Sequence, residues 1–406
     1  MKVVHINFSS TKGGAAIAAY RHCEAMRKAG IDASMLVFND NKKSSFVYRV
    51  DRNNLKFRFK SLLYPSLHVL MSRLFKFKGT FSYPILSLSI ANHPLVQQAD
   101  IIYFHWISFS MLSTKEIERI LKLGKTVRWY MHDMYPITGG CHHAFDCTKY
   151  TSSCKLCPLI SSTLPLFDLA KKQFVHRLKS WTKYSNFEAY TPSSWLAESV
   201  KKSAIWQGHK VTVFPNVLDT EKFHIVNKEF ARNVLNIKTD KKLVLFGADV
   251  INDFYKGWNY LQEALNSLDP SRYEALIFGN CNDSISDNLH VHCSFTGYLN
   301  DEYSLILAYN AADVLVSSSI AENYPNVIME AMSCGLPCVG FNIGGIPEQI
   351  YHKQNGYLAN IECKQSLADG IQYVCTLSEE EYCQMRMNAR SFVVNEASYE
   401  KYKGHL

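Results

Sequence analysis

The start of the chain combines an apolar run, a glycine turn and a helical pattern, and this combination restricts the possible folds most. Residues 3–8 are largely apolar, and residues 9–14 read SSTKGG. Residues 15–29 then place apolar side chains at helical spacing before a second apolar run at 33–38. Two strands joined through a helix are typical of a parallel sheet, because parallel strands need a long crossover connection. The sequence therefore predicts an α/β fold.

The same alternation continues along the rest of the chain. Further strands are predicted at residues 100–105, 126–131, 187–191 and 211–214, and then at 243–247, 273–278, 314–317 and 337–341. The chain has 406 residues, 47% of them hydrophobic, which is too long for one ordinary domain. We therefore expect two α/β domains, at residues 1–215 and 216–384.

Two glutamates lie in residues 321–348, AENYPNVIMEAMSCGLPCVGFNIGGIPE, just after a predicted strand. Glu322 falls in the predicted loop, and Glu330 falls in a helix predicted to begin near Pro325, a favourable residue for a first helical position. Ligands bind at the carboxyl ends of strands in open α/β sheets, and a helix start attracts phosphate. The stretch therefore favours a phosphate flanked by two polyols, as in a nucleotide sugar.

A simpler interpretation of these two glutamates remains open. Glu330 would then be a solvated helix residue, and Glu322 would be an acid near the positive end of the helix dipole. The Gly344-Gly345 pair favours the ligand interpretation, because glycines allow the backbone to approach a ligand closely.

Other short motifs are spread over almost the whole chain. They are Lys12-Gly13-Gly14, Pro192-Ser193-Ser194-Trp195-Leu196, Phe214-Pro215-Asn216, Lys256-Gly257, Tyr309-Asn310-Ala311-Ala312-Asp313, Glu322-x7-Glu330 and Gly344-Gly345-Ile346-Pro347-Glu348. Together they resemble the signature of family-four (group 1) glycosyltransferases, which are retaining enzymes with the GT-B fold. The resemblance implies two Rossmann-like domains facing across a cleft, with the acceptor on the first domain and a nucleotide sugar on the second. The last residues, about 385–406, are expected to pack back on the first domain.

The resemblance also implies roles for single residues. Glu330 would hold the ribose hydroxyls, Glu322 would contact the transferred sugar, and Lys256 would neutralise the departing diphosphate. His132 would contact the donor sugar, so Glu322, His132 and Lys256 form the expected catalytic set. The other expected donor-binding positions are Gly13, Gly14, Asn323, Tyr324 and Asn326. One departure lies near Asn252, where the family usually supplies a cation and this chain has none.

A cysteine cluster follows His132. Cys141, Cys147, Cys154 and Cys157 have the spacing C-x5-C-x6-C-x2-C. Four thiolates in so short a segment suit a closed structural zinc site, and ordinary free thiols are the alternative. A similar stretch occurs in some bacterial capsule and exopolysaccharide glycosyltransferases, which favours a role in polysaccharide assembly. No recognition helix follows the cluster, so we expect no nucleic-acid partner.

The net charge of +8 is concentrated in one window that lacks Asp and Glu, residues 52–98. Its seven basic residues alternate with apolar and aromatic ones such as Phe57, Phe59, Phe75 and Phe77. This pattern favours an anionic membrane surface, and a solvated helical insert with one apolar face on the core is the alternative.

We therefore expect a glycosyltransferase that needs no cofactor for its chemistry and transfers a sugar to a carbohydrate or lipid-linked acceptor. No transmembrane run or signal peptide is predicted, so we expect a cytoplasmic location, peripheral on the inner face of the membrane. Two rivals remain: a nucleotide-sugar 2-epimerase of the same fold, and a non-enzymatic protein that binds anionic lipids or polymers.

Overall fold

The computed structural model describes residues 1–40, 44–50, 63, 67–84, 87–109, 111–161, 167–280 and 288–403. It divides into two compact units, Met1–Pro215 and Asn216–Leu406. Each unit is built around its own parallel sheet.

The first unit contains a seven-stranded sheet in the order β3-β2-β1-β4-β5-β6-β7. Every pair of neighbouring strands is parallel. The strands are β1 (Lys2–Ser9), β2 (Asp32–Asn39), β3 (Val47–Arg49), β4 (Ile101–Phe104), β5 (Thr126–Tyr130), β6 (Phe187–Thr191) and β7 (Val211–Val213). The helices are α1 (Gly14–Lys28), α2 (67–75), α3 (Pro94–Gln98), α4 (Thr114–Leu121), α5 (Leu169–Trp181) and α6 (Ser194–Lys202), with short 3-10 turns at Tyr135–Ile137, Lys149–Thr151 and Ala204–Trp206.

The second unit contains a six-stranded parallel sheet in the order β10-β9-β8-β11-β12-β13. Its strands are β8 (Lys242–Val250), β9 (Tyr273–Asn280), β10 (His292–Phe295), β11 (Val314–Ser317), β12 (Cys338–Phe341) and β13 (Gly356–Ala359). Its helices are α7 (Lys228–Val234), α8 (Trp258–Asn266), α9 (Glu302–Ala311), α10 (Asn326–Ser333), α11 (Lys364–Thr376), α12 (Glu379–Ala397) and α13 (Tyr399–Lys403), with 3-10 turns at Phe254–Lys256 and Ile346–Glu348.

The predicted fold class is confirmed: both units are Rossmann-like α/β layers. In each sheet the chain runs outward from a central strand on one side and then returns to build the other side. The reversal falls between β1 and β4 in the first unit and between β8 and β11 in the second. Ligands of open α/β sheets bind beside such a reversal, at the carboxyl ends of the strands.

The last helices are grouped with the second unit. Arg390 of α12 donates to the carbonyl of Phe223, and the Leu218 amide donates to the carbonyl of Ala397. These contacts tie α12 to the start of the second unit. The expected packing of residues 385–406 on the first domain stays a prediction.

The basic window at 52–98 is described only in part, since Lys56, Arg58, Phe57 and Phe59 lie outside the described residues. Phe75 is buried, and the ring of Phe77 packs against the core with its centroid 4.8 Å from that of Phe81. Phe75 is therefore unable to face a membrane surface, and the partly buried Phe77 ring packs against the core instead.

Among the residues that the structure describes, no helix combines the length and apolar character that crossing a bilayer needs.

Candidate functional site

Lys256 is placed by a tight turn at the carboxyl end of β8. The turn ends at Gly257, whose φ is +66°, a conformation that favours glycine. A Cβ at Gly257 would lie 1.9 Å from the Ser318 carbonyl oxygen, so only glycine permits this approach. The Ser318 hydroxyl donates to the Lys256 carbonyl at 2.9 Å, and the Ile320 amide donates to the Tyr255 carbonyl at 2.8 Å. The loop after β8 is thereby fixed against the loop after β11.

This arrangement brings Lys256 and Glu322 together. The Lys256 ammonium forms an ion pair with Glu322 Oε1, and the two side chains are 21% and 15% exposed. Burial alone would lower the pKa of Lys256, but the Glu322 carboxylate and the Tyr255 phenol raise it to about 12. Lys256 is therefore a fixed cation at the reversal point of the second sheet.

A third loop completes this part of the site. Gly344 follows β12 with φ +60°, and a Cβ there would lie 1.9 Å from the Glu322 carbonyl oxygen. The Gly345 amide lies 3.3 Å from the same oxygen and donates to it. The loops after the neighbouring strands β8, β11 and β12 thus meet at Glu322. The pair Gly344-Gly345 leads into a short 3-10 turn at Ile346–Glu348.

Glu330 lies on α10, which begins directly after the Glu322 loop with Pro325 as its N-cap residue. Its side chain is buried, with the residue only 3% exposed, and Glu330 Oε2 accepts a hydrogen bond from the Tyr309 hydroxyl at 2.7 Å. The interpretation of Glu330 as a solvated helix residue is therefore wrong. A buried carboxylate needs hydrogen-bond donors, and Tyr309 supplies one of them.

The start of α10 is held by Asn216. The Asn216 amide donates to the Tyr324 carbonyl and to Asn326 Oδ1, each at 3.1 Å. Asn323 and the Tyr324 ring are buried, and burial raises the pKa of the Tyr324 phenol well above its ordinary value. These contacts fix the position of the backbone at the start of α10.

Gly13 and Gly14 lie in the first unit, at the turn from β1 into α1. Gly13 has φ +88° and precedes the helix, which begins at Gly14. The Ala16 and Ile17 amides each donate to the Gly13 carbonyl at 3.1 Å, which closes the first turn. The expected glycine turn is therefore present beside the reversal point of the first sheet.

His132 follows β5 and is partly buried. Its Nε2 lies 3.1 Å from Nδ1 of His105, a residue that the sequence reasoning missed. The neighbouring Asp133 anchors this segment: its carboxylate accepts from Trp106 Nε1 at 2.9 Å, from His142 Nδ1 at 2.7 Å and from the Tyr135 amide at 2.8 Å. The apolar run that ends in His105 gave no signal that its histidine would contact His132.

The four predicted cysteine ligands line one small cavity, and all four are free thiols. The Gly139 amide donates to Cys154 Sγ at 3.2 Å. In the part of the chain that the structure describes, no group of three or more His, Cys, Asp or Glu side chains is arranged to hold a metal ion. Zinc binding at Cys141, Cys147, Cys154 and Cys157 therefore stays a prediction.

Two Rossmann-like α/β units are the architecture of solved GT-B glycosyltransferase structures, which this chain matches in fold. Residues 227–392 match the family model described as "Glycosyl transferases group 1". The second unit thus carries the group 1 glycosyltransferase sequence pattern, as the motifs predicted.

Two curated relatives extend this likeness. An uncharacterized glycosyltransferase of Methanocaldococcus jannaschii is 28% identical over 56% of this chain and 59% of its own length. An Escherichia coli protein, named UDP-Gal:alpha-D-GlcNAc-diphosphoundecaprenol alpha-1,3-galactosyltransferase, is 24% identical over 56% of this chain and 62% of its own length. The chain thus spans about three fifths of the length of these relatives.

Solved structures match over the full length of the chain. Anabaena HepE in complex with UDP has a TM-score of 0.63 at 16% identity and covers 100% of this chain and 98% of its own. WaaG, a glycosyltransferase involved in lipopolysaccharide biosynthesis, has a TM-score of 0.63 at 14% identity and covers 99% of both chains. At these identities the likeness shows the fold.

Proposed function

We propose that this chain is a retaining glycosyltransferase that moves a sugar from a nucleotide-diphosphate sugar to an acceptor hydroxyl. The observation that carries the proposal is the Lys256–Glu322 ion pair at the reversal point of the second sheet, directly before α10. A fixed cation and a helix start attract a diphosphate, and the adjacent carboxylates accept from sugar hydroxyls.

In this proposal the donor opens the ion pair. Its diphosphate takes Glu322's place beside Lys256, and Glu322 then accepts from hydroxyls of the transferred sugar. Glu330 accepts hydrogen bonds from the ribose hydroxyls, while the Tyr309 hydroxyl holds Glu330 Oε2 in place. The rate gain comes from electrostatic stabilisation of the departing diphosphate, where negative charge develops. We assign no covalent nucleophile.

The role proposed for His132 is a contact with the transferred sugar. Burial lowers the pKa of His132 to about 4, although the Asp133 carboxylate opposes this effect. The ring is therefore neutral near pH 7, and it acts through a hydrogen bond and not through a positive charge.

The first step of the test is a thermal-shift screen of nucleotide sugars, because a ligand that binds the folded chain raises its melting temperature. The second step is analysis of the products formed from the radiolabelled donor that this screen identifies. A transferase passes label to an acceptor saccharide, and Lys256→Gln abolishes this transfer. A free rearranged sugar, released without acceptor, would instead identify the rival 2-epimerase. No binding of any nucleotide sugar would contradict both.

We further propose that the acceptor is a lipid-linked saccharide in cell-surface polysaccharide assembly, reached at an anionic membrane. Three leucines are exposed in the basic window at 52–98, Leu63, Leu70 and Leu74. Leu70 and Leu74 lie on α2 four positions apart, and therefore on the same face of that helix. Arg73, Lys76 and Lys78 are exposed beside them, and the window contains no acidic residue. Exposed leucines next to cations suit an anionic lipid surface, with the leucines entering the interface in place of Phe75 and Phe77.

A further inference from the structure

Three imidazoles form a continuous row in the first unit. His5 lies in β1, His105 follows β4 and His132 follows β5, and these strands are neighbours in the sheet. His5 Nδ1 lies 2.9 Å from His105 Nε2, and His105 Nδ1 lies 3.1 Å from His132 Nε2. His5 and His105 are buried, whereas His132 is only partly buried. The row therefore connects the interior of the unit to His132.

The inner end of the row meets a sulfur atom. His5 Nε2 lies 3.3 Å from Sδ of Met26, which is buried on α1. A thioether sulfur accepts a weak hydrogen bond and has no hydrogen to donate. This contact is favourable only when His5 carries its hydrogen on Nε2, because the other tautomer would direct a nitrogen lone pair at the sulfur lone pairs.

All three rings are neutral near pH 7. Burial lowers the pKa of His5 to about 3, and burial with the nearby histidines lowers the pKa of His105 well below its ordinary value. A neutral imidazole carries one hydrogen, so one nitrogen donates and the other accepts. The proton position on one ring therefore dictates the proton position on the next.

From the sulfur outward, only one arrangement satisfies every junction. His5 Nε2 donates to Met26 and His5 Nδ1 accepts, so His105 Nε2 donates. His105 Nδ1 then accepts, so His132 Nε2 donates. A mixed arrangement would set two hydrogens or two lone pairs against each other at a buried junction, which leaves polar groups unsatisfied.

We propose that Met26, His5 and His105 are positioning residues that fix His132 in the Nε2–H tautomer, with Nδ1 as a hydrogen-bond acceptor. The inference rests on the proposed function at one point: an acceptor at Nδ1 suits a hydroxyl group of the transferred sugar, which donates to it. The supporting rings hold His132 in the reactive tautomer before the donor arrives, so no proton has to move on binding.

The test is nitrogen-15 NMR of the full-length protein with labelled histidine at pH 7.5, in which long-range proton–nitrogen correlations report the protonated nitrogen of each ring. His132→Ala assigns the His132 signals. We expect a protonated Nε2 and an unprotonated Nδ1 for His132 in the unliganded protein. A protonated Nδ1 in the wild type would overturn the proposal, whatever the enzyme does with donors.

Met26→Leu tests the origin of the preference, because it removes the sulfur and nearly conserves volume. We expect His132 to become a mixture of tautomers; equal populations would halve the competent fraction and lower kcat about twofold. Met385→Leu, at a buried methionine of the second unit, is the matched control and leaves the pattern unchanged. An unchanged His132 tautomer in Met26→Leu also overturns the proposal. If the His132 tautomers are as expected but the protein has no transferase activity, the proposed function is refuted and the tautomer proposal stands.

Discussion

Replacing Glu322 by glutamine is expected to tighten the binding of a nucleoside diphosphate while it slows sugar transfer. In the unliganded protein Glu322 pairs with Lys256, and a diphosphate needs the same ammonium. The substitution removes a competing negative charge and keeps the side-chain volume. It also removes the charge and replaces one of the two acceptor oxygens by an NH2 donor, which weakens the hydrogen bonds accepted from the transferred sugar. The two effects therefore have opposite signs.

The size of the effect follows from the pKa of Lys256. Folding raises this pKa from 10.5 to about 12, against the opposing effect of burial. At roughly 1.4 kcal/mol per pKa unit, the folded environment favours the charged lysine by about 2 kcal/mol. Because the pKa is raised in the folded chain, this stabilisation is complete below pH 10.5 and is lost as the pH rises through about 12. If Glu322→Gln frees these roughly 2 kcal/mol for the interaction of Lys256 with a diphosphate, the diphosphate affinity at pH 7.5 rises by up to about thirtyfold.

The assay is calorimetric titration of wild-type and Glu322→Gln protein with UDP and GDP at pH 7.5, together with turnover on the donor found by screening. Glu263→Gln is the matched control, because Glu263 pairs with Lys364 on the surface of the same unit, and exposed pairs contribute little. Weaker nucleoside-diphosphate binding in Glu322→Gln would refute the assignment of Lys256 to the diphosphate.

Four further predictions address the other parts of the site. Glu330→Ala is expected to weaken donor binding by roughly 1.5–3 kcal/mol, the range for a hydrogen bond to a charged group, and unchanged calorimetric affinity would contradict its role at the ribose. His132→Ala is expected to lower turnover more than nucleotide affinity, and the reverse result would place it at the nucleotide end. Protein purified without a metal-affinity tag is expected to contain about one zinc per chain by elemental analysis, whereas metal-free, active protein with titratable thiols would favour free cysteines. The protein is expected to sediment with anionic vesicles at low salt and to be released as salt rises. The double variant Leu70→Ser with Leu74→Ser is expected to abolish this binding, and the control variant Lys201→Ser with Lys202→Ser is expected to keep it. A wild-type protein that ignores such vesicles would favour a soluble acceptor.

Much of the fold was predictable because it depends on local patterns. Buried parallel strands are short apolar runs, and helices between them repeat apolar residues at a fixed spacing, so most strands of both sheets were found. The strands β3, β10 and β13 were missed. They lie at sheet edges, where burial is incomplete and the apolar signal is weaker.

The candidate site was predictable only where a motif carries its own local geometry. Gly257 and Gly344 need left-handed backbone, and a loop with Glu322 before a helix start has a recognisable composition. By contrast, the basic and aromatic pattern of the window grouped Phe75 and Phe77 with residues that favour a membrane surface, whereas the structure buries Phe75 and packs the partly buried Phe77 against the core. Alternation with charges does not reveal which side of a segment meets the core.

The sequence by itself determined the class of fold, the order of the motifs and the residue types available for a diphosphate and a sugar. Only the tertiary structure decided which of them meet. It paired Lys256 with Glu322, buried Glu330 against Tyr309, and aligned Met26, His5 and His105 behind His132. These partners are separated by 21 to 100 positions in the chain. They meet because parallel strands and the helices that connect them bring distant parts of the chain side by side.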